Sequence, residues 1–142
     1  MQGVIFSILA GAAMSIQGVM NTRLGQRIGT MEANMLVQCT AAVLSLAALA
    51  VNHSGDFGAL GQTPRLYWLG GVLGLVITVT VMLGIRDLSP TVSIAVILIS
   101  QLLVAALIDA FGLMDSERVA FGWSKFVGLG LMLGGVLLFK KS

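Results

Sequence analysis

Charged residues are scarce in this sequence. Its 142 residues include eight lysines and arginines and six aspartates and glutamates, so that 10% are charged while 57% are hydrophobic. An average soluble domain carries about 25% charged residues. Because so few ionisable side chains cannot cover the surface of a water-soluble globule, the composition excludes a soluble domain and indicates a protein surrounded by lipid.

The residues that usually build catalytic and metal centres are also scarce. With one cysteine, Cys39, and one histidine, His53, neither an intramolecular disulfide nor a zinc site is possible. There is no GxSxG nucleophile elbow, no Walker loop and no pair of carboxylates deep in an apolar stretch. The net charge of +2 is dispersed, which gives no support for nucleic-acid binding. We therefore predict no enzymatic activity, no metal or other cofactor and no nucleic-acid partner.

Long intervals without charge are what the sequence has instead. Residues 1–22, 33–52, 66–85 and 88–108 contain no charged side chain. As a helix, each interval is long enough to cross a hydrocarbon core of ~30 Å at 1.5 Å per residue. A fifth interval, 126–139, reaches only about 21 Å. We therefore predict that its helix begins near Val119, with the ammonium group of Lys125 extending toward the interface.

These intervals predict an all-α integral membrane protein with five transmembrane helices in a single domain, residues 1–142. The helices are expected at about 3–20, 33–51, 67–85, 90–111 and 119–139. Pro90 suits the first position of helix 4, and Gly112 suits its end. Residues 10–12 resemble a signal-peptide cleavage site, but no Lys or Arg precedes them and the rest of the chain also spans the membrane. Helix 1 is therefore expected to remain in the mature protein.

Small residues are concentrated in the predicted spans. The candidate helix-packing glycines are Gly11, Gly70, Gly74, Gly130 and Gly134. In lipid, helices associate through close approach of their backbones, which small residues at i, i+4 spacing permit. Generic helix packing and a specific dimer face both explain this spacing, and the sequence does not separate them.

The basic residues are nearly balanced between the two membrane faces. Five spans place Arg65, Arg118 and Lys125 on one face and Arg23, Arg27, Arg86, Lys140 and Lys141 on the other. This small excess predicts the N-terminus outside and the C-terminus in the cytoplasm. Insertion in both orientations is the alternative, in which two copies form an antiparallel homodimer of ten helices.

Polar side chains within the spans are the candidate solute-binding residues. Gln17 and Asn21 lie four residues apart on one face of helix 1, and Gln101 lies near the middle of helix 4 beside Ser100. Thr78 adds a hydroxyl from helix 3. Gln101, at mid-span depth, is expected to face the protein interior. Gln17 and Asn21, near the C-terminal end of helix 1, either line a solute path or join helices by hydrogen bonds.

Two carboxylates near helix ends are candidates for coupling transport to an ion. Asp109 lies in the last turn of helix 4, where the helix dipole disfavours a negative charge. It is either a proton or cation site or an interfacial carboxylate paired with Arg118 or Lys125. Glu32 begins helix 2, where capping and pairing with Arg23 or Arg27 compete with the coupling role.

Three motifs carry a family resemblance. They are Gln17-x-x-x-Asn21-x-x-Leu24-Gly25, Tyr67-Trp68-Leu69-Gly70-Gly71-x-x-Gly74 and Gln101-Leu-Leu-x-Ala-x-x-x-Asp109-x-Phe-Gly112. In this order, and over nearly its whole length, the chain resembles the YdcZ-like small membrane proteins of the drug/metabolite transporter superfamily. The resemblance implies a multi-pass protein of the bacterial inner membrane, similar to half of a ten-helix transporter, that exports or exchanges a small solute. Unlike the related small multidrug exporters, helix 1 has Gln17 and no embedded carboxylate, which argues against cation export by that site.

We therefore predict a small-solute exporter that alternates access around a site at a dimer interface. The predicted substrate-binding residues are Gln17, Asn21, Thr78, Ser100 and Gln101, with Glu32 or Asp109 for coupling. A dimeric ion channel lined by the same amides and a membrane scaffold subunit without transport activity are the alternatives. The expected partners are a second copy of the chain, membrane lipid and the solute.

Overall fold

The computed structural model describes residues 1–119 and 122–141. In these residues the chain forms five α-helices, which are α1 (Gln2–Ile28), α2 (Thr30–Val51), α3 (Gly70–Asp87), α4 (Pro90–Phe111) and α5 (Trp123–Lys141). The 3₁₀ segments Phe57–Gln62, Arg65–Leu69 and Leu113–Asp115 lie in the connections. The predicted all-helical fold is confirmed in the described part of the chain.

The first two helices are longer than predicted. α1 continues to Ile28 instead of ending at Met20, and α2 begins at Thr30 rather than near Ala33. The charged groups of Arg23 and Arg27 must lie outside the hydrocarbon core, but charged residues do not by themselves end a helix. The helix therefore continues into the headgroup region with its backbone hydrogen bonds intact. The 27 residues of α1 measure about 40 Å, compared with ~30 Å for the hydrocarbon core. Both arginines therefore lie on a helix and not in a loop.

A single residue, Gly29, connects α1 to α2. Its backbone has φ 105° and ψ 145°, a conformation that L side chains rarely adopt. Its N–H donates to the carbonyl of Gly25, and its carbonyl accepts from the N–H of Ala33, each over 3.0 Å. Gly29 therefore closes one helix and opens the next, which folds α1 and α2 into a tight antiparallel hairpin.

The limits of α4 agree with the prediction. Ser89 precedes the helix, and its hydroxyl accepts a hydrogen bond from the N–H of Val92 over 3.3 Å, while Pro90 occupies the first turn. Gly112 ends the helix in the left-handed conformation, with φ 62° and ψ 40°. Both ends therefore follow local capping chemistry.

The predicted start of helix 5 near Val119 was wrong, because α5 begins at Trp123. Val119 lies outside the helix, and its N–H donates to the carbonyl of Asp109 over 3.0 Å, which draws the connection back onto the end of α4. The apolar part of α5, Trp123–Phe139, is shorter than the other spans. Its 17 residues reach about 26 Å, so Lys125 lies in the first turn, near the interface.

Contacts divide the chain into two compact units, Met1–Arg86 and Asp87–Ser142. In the first unit, the described close packing is at the end where α1 finishes, α2 starts and α3 finishes. The buried residues there are Gly18, Asn21, Thr22, Ala33, Asn34, Met82 and Ile85. We call this group the polar junction, because three of its members carry amide or hydroxyl groups. The prediction of one domain stays a prediction.

Most of the remaining helix surface is exposed. Only 6% of the residues in the apolar windows of α1, α2 and α4 are buried inside the protein. Phe6, Leu46 and Leu137 are 68%, 67% and 67% exposed. In water each such side chain would oppose folding by roughly 1.5–3 kcal/mol relative to burial, whereas lipid removes that cost. The described helices Gln2–Ile28, Thr30–Val51 and Pro90–Phe111, together with the stretch Arg65–Asp87, are long and apolar enough to cross a membrane.

Candidate functional site

The polar junction packs tightly around small residues. A Cβ added at Gly18 would lie 3.0 Å from Cδ1 of Ile85 and 3.1 Å from Cγ1 of Val81, so two side chains of α3 pack directly against α1 at this point. The hydroxyl of Thr22 donates to the carbonyl of Gly18 over 2.7 Å and is thereby satisfied within its own helix. The contacts at Gly18 show that the junction is closely packed, although three of its members are polar.

Asn34 is the unusual member of the junction. Its side chain is only 5% exposed, and its Oδ1 has no hydrogen-bond partner among the described residues. An unsatisfied buried acceptor costs about 1–3 kcal/mol. Asn34 was not among the predicted site residues, because one amide in an apolar helix gives no spacing signal.

A groove of about 740 Å³ runs between α1 and α2, and it brings Gln17 and Asn21 onto one wall, as their spacing predicted. The lining residues are Gln17, Val19, Met20, Asn21, Arg23, Leu24, Arg27, Leu36, Val37, Thr40, Ala41 and Leu44. Gln17 is exposed and lies near the middle of α1, whereas Asn21 is only 7% exposed. We call this feature the α1–α2 groove.

Two lining residues, Arg23 and Arg27, were not among the predicted site residues. They lie four residues apart on the extension of α1, so they share a helix face. Nη1 of Arg23 donates to Oε1 of Gln26 over 3.3 Å, and this acceptor is a neutral amide. The i, i+4 spacing was visible in the sequence. Because both arginines were predicted to lie in a loop, however, the spacing did not predict that they share a helix face.

The other predicted substrate-binding residues do not line this groove. Thr78 is half-buried on α3, and its hydroxyl donates to the carbonyl of Gly74 over 2.8 Å. Ser100 and Gln101 have exposed side chains on α4, in the second unit. Their participation in one site with Gln17 and Asn21 stays a prediction.

Asp109 lines a second cavity, of about 320 Å³, between α4 and α5. The lining residues are Leu102, Ala106, Asp109, Lys125, Gly128, Leu129 and Met132. The side chains of Asp109 and Lys125 are both half-buried there. The stem of Arg118 lies against Gly112 at the end of α4, with its Cγ 2.9 Å from the point where a Cβ on Gly112 would be, and it does not line this cavity. Of the two predicted basic neighbours, Lys125 is therefore the one that shares a cavity wall with Asp109.

Glu32 lies in the first turn of α2, and its carboxylate folds back over Gly29, the residue that caps the helix. This position favours electrostatic interaction with the helix N-terminus. The geometry suits the capping alternative, and a coupling role stays a prediction.

The predicted packing glycines are mostly open within one protomer. A Cβ added at Gly11, Gly70, Gly130 or Gly134 would meet nothing within 4 Å, while one at Gly74 would lie 3.7 Å from Nε2 of Gln38. Their role in contacts with other helices stays a prediction. Along helix 1, the hydroxyls of Ser7 and Ser15 donate to the carbonyls of Gly3 and Gly11, which leaves a smooth surface for lipid or protein.

In the described residues, no group of three or more His, Cys, Asp and Glu side chains is positioned to hold a metal ion. The α1–α2 groove offers the amides of Gln17 and Asn21 and the guanidinium groups of Arg23 and Arg27. The separate cavity between α4 and α5 offers the carboxylate of Asp109 and the ammonium group of Lys125. These groups can bind and orient a solute through hydrogen bonds and charge.

Comparison with known families assigns the chain to one family of membrane proteins. Residues 2–138 match the family model described as "Putative inner membrane exporter, YdcZ". No curated relative and no solved structure matches the chain significantly. The family indicates a transporter rather than an enzyme, in agreement with the membrane-spanning helices. The chain therefore belongs to the YdcZ family of inner membrane exporters and is a multi-pass protein of the inner membrane.

Proposed function

We propose that the protein is a small-solute exporter that functions as an antiparallel homodimer of ten helices and alternates access around a site containing Gln17 and Asn21. The α1–α2 groove is the observation that carries the proposal. It presents the amide of Gln17 near the middle of a membrane-spanning helix, where an amide is costly unless it has a polar partner. In an exporter, the solute supplies that partner during each transport cycle.

The homodimer supplies the rest of the site. The described part of one copy has five α-helices, which corresponds to one repeat of a transporter built from two inverted halves. Gly11, Gly70, Gly130 and Gly134 leave open space on three helices of the protomer, which allows a second copy to approach the backbone closely. Thr78, Ser100 and Gln101 complete the solute site in this proposal.

Coupling is assigned to Asp109. Its half-buried carboxylate shares a cavity wall with Lys125, so gain or loss of a proton or cation would change the balance of charge between α4 and α5. Glu32 is the less favourable candidate, because its carboxylate lies over Gly29 at the start of α2.

Flux through reconstituted vesicles tests the proposal. The probes are radiolabelled hexanesulfonate and hexyltrimethylammonium, which are permanently charged and cross lipid slowly without a carrier. We expect protein-dependent, saturable flux of one probe, reduced about tenfold or more by Gln17→Leu, which removes an amide from the groove. Ser7→Ala is the control, because Ser7 is exposed and its hydroxyl donates to the carbonyl of Gly3 within its own helix. Equal flux in Gln17→Leu and wild-type vesicles would remove Gln17 from the site. Flux that does not saturate would favour a channel.

A further inference from the structure

The α1–α2 groove carries charge of one sign. Its lining includes the guanidinium groups of Arg23 and Arg27, whereas none of the described residues that line it is a carboxylate. The nearest acidic residue in sequence, Glu32, folds over Gly29 at the start of α2. A cation in the groove would be repelled by two fixed positive charges, while an anion would be attracted by both.

The polar and apolar groups of the groove are arranged along its length. From Gln17 to Arg27 along α1 is about 15 Å, with both arginines at the outer end and Gln17 at the inner end. The facing wall, on α2, is mostly aliphatic, with Leu36, Val37, Ala41 and Leu44. Thr40 interrupts this wall, but its hydroxyl donates to the carbonyl of Leu36 over 2.8 Å. A matching molecule has an anionic group at one end and an apolar body.

The size of the groove limits the candidates further. Its volume of about 740 Å³ lies within the range of roughly 300–1,000 Å³ that is typical of small-molecule sites. Arginine pairs are well suited to carboxylate, phosphate or sulfonate groups, because each guanidinium presents several donors in a planar fork. Arg27 lies in the last turn of α1, where a positive charge interacts favourably with the helix C-terminus, so its presence has an explanation within the helix. That explanation does not account for Arg23 or for the aliphatic wall.

We propose that the α1–α2 groove binds a single-chain organic anion, with Arg23 and Arg27 holding its charged group and the aliphatic wall of α2 holding its apolar body. This inference rests on the proposed function, because it names the substrate class of the same site. It identifies the two arginines as specificity-determining residues. The amides of Gln17 and Asn21 then provide hydrogen bonds at the inner end.

Thermal unfolding of the purified protein in a neutral maltoside detergent tests the proposal without requiring transport. The probes are hexanesulfonate, hexyltrimethylammonium and hexanol, which share one chain length and differ in charge. Hexanesulfonate is expected to raise the melting temperature in a saturable way, since a ligand that binds only the folded state stabilises it. The cationic and neutral probes are expected to cause no saturable rise. An equal rise with all three would show partitioning of the hexyl chain and would overturn the proposal.

Paired variants separate recognition from effects on membrane orientation. The double variant Arg23→Gln/Arg27→Gln is expected to weaken hexanesulfonate binding about tenfold or more, because it removes charge-assisted hydrogen bonds. Arg23→Lys/Arg27→Lys keeps the positive charge that influences insertion but loses the planar fork, so an intermediate loss is expected. Arg65→Gln removes an exposed basic residue outside the groove and is the matched control, with binding unchanged. Equal binding by all variants would contradict the assignment to the groove.

Two further outcomes distinguish this inference from the proposed function. Arginine-dependent binding of hexanesulfonate without flux in vesicles would support the anion site and contradict export of this probe class. Saturable flux of hexyltrimethylammonium without hexanesulfonate binding would support a transporter and overturn the anion site. Stabilisation by phosphatidylglycerol alone, without any effect of hexanesulfonate, would overturn the proposal in favour of a bound membrane lipid.

Discussion

At the scale of single residues, Gly29 holds the α1–α2 hairpin together. Its φ of 105° is unfavourable for any L side chain, and an added Cβ would also collide with the carboxylate of Glu32. We expect Gly29→Ala to destabilise the folded protein by about 1–3 kcal/mol. The measurement is the melting temperature in detergent. Gly61→Ala, at a loop position with open space and no positive φ, is expected to change it little. Equal effects of the two substitutions would refute this role of Gly29.

Replacing most buried residues lowers the stability of a protein, but replacing Asn34 by an apolar residue is expected to raise it. Because its Oδ1 is buried without a partner among the described residues, Asn34→Leu, which is similar in size and apolar, is expected to stabilise the protein by about 1–3 kcal/mol. Thermal unfolding measures this change. Asn52→Leu makes the same substitution at the exposed end of α2 and is expected to be nearly neutral. A lower melting temperature for Asn34→Leu would mean that the amide makes a stabilising hydrogen bond in the membrane.

Asp109 is expected to be required for coupling rather than for folding. Asp109→Asn keeps the shape of the side chain and removes its charge beside Lys125. We expect loss of the stimulation of vesicle flux by a pH gradient, with downhill exchange of the probe retained. Asp56→Asn is the matched control, because Asp56 is exposed and its Oδ1 accepts from the N–H of Gly58 in the 3₁₀ segment between α2 and α3, away from Asp109 in sequence. Full stimulation in Asp109→Asn would exclude the coupling role.

Single residues differ in how readily a sequence predicts their surroundings. Gln17 and Asn21 were correctly expected on one wall, because i, i+4 spacing on a helix fixes their relative direction. Asn34 was missed, because helices that are apolar all round have no polar face from which the buried side could be inferred. Its burial depends on where α1 and α3 meet α2, which is tertiary information.

At the scale of helices, the contact between α1 and α3 depends on Gly18. A Cβ there would lie 3.0 Å from Ile85 and 3.1 Å from Val81, so Gly18→Val forces the two helices apart or displaces both side chains. We expect a destabilisation of about 1–3 kcal/mol from overpacking, read as a lower melting temperature. Gly11→Val carries the same cost in helix propensity, seven residues earlier on α1, but has open space within 4 Å. If Gly11→Val were the more damaging, Gly11 would lie at an interface between copies.

Helix limits were predictable where the sequence carries capping chemistry. Ser89, Pro90 and Gly112 fixed both ends of α4 correctly, because each acts through its own backbone preference. The predicted end of α1 was wrong because it was inferred from the position of charged residues. The predicted start of α5 was wrong because it was inferred from the thickness of the membrane. Charged side chains can extend to the interface from within a helix, and a short span is tolerated by local thinning of the bilayer.

At the scale of the whole molecule, composition alone predicted the membrane environment and the number of helices. The long charge-free intervals require lipid, and helices are the structures that satisfy the backbone there. The proposed pairing of two copies was not predictable in the same way. The two membrane faces differ little in their number of basic residues, so this count does not select one orientation. Glycines with open space around them occur on several helices, so they do not select one partner surface.

Labelling of single cysteines distinguishes the possible orientations. In a Cys39→Ser background, Gln62→Cys reports the loop between α2 and α3, and Gln26→Cys reports the opposite face, near the end of α1. An antiparallel homodimer requires equal numbers of the two orientations, so an impermeant maleimide should label about half of either variant in intact cells and all of both after permeabilisation. Complete labelling at Gln62→Cys with none at Gln26→Cys would instead establish one orientation, with the N-terminus outside, as the positive-inside rule predicts. That result would leave the five-helix protomer intact and exclude the antiparallel pair, because two copies inserted in the same direction cannot be related by a twofold axis in the membrane plane.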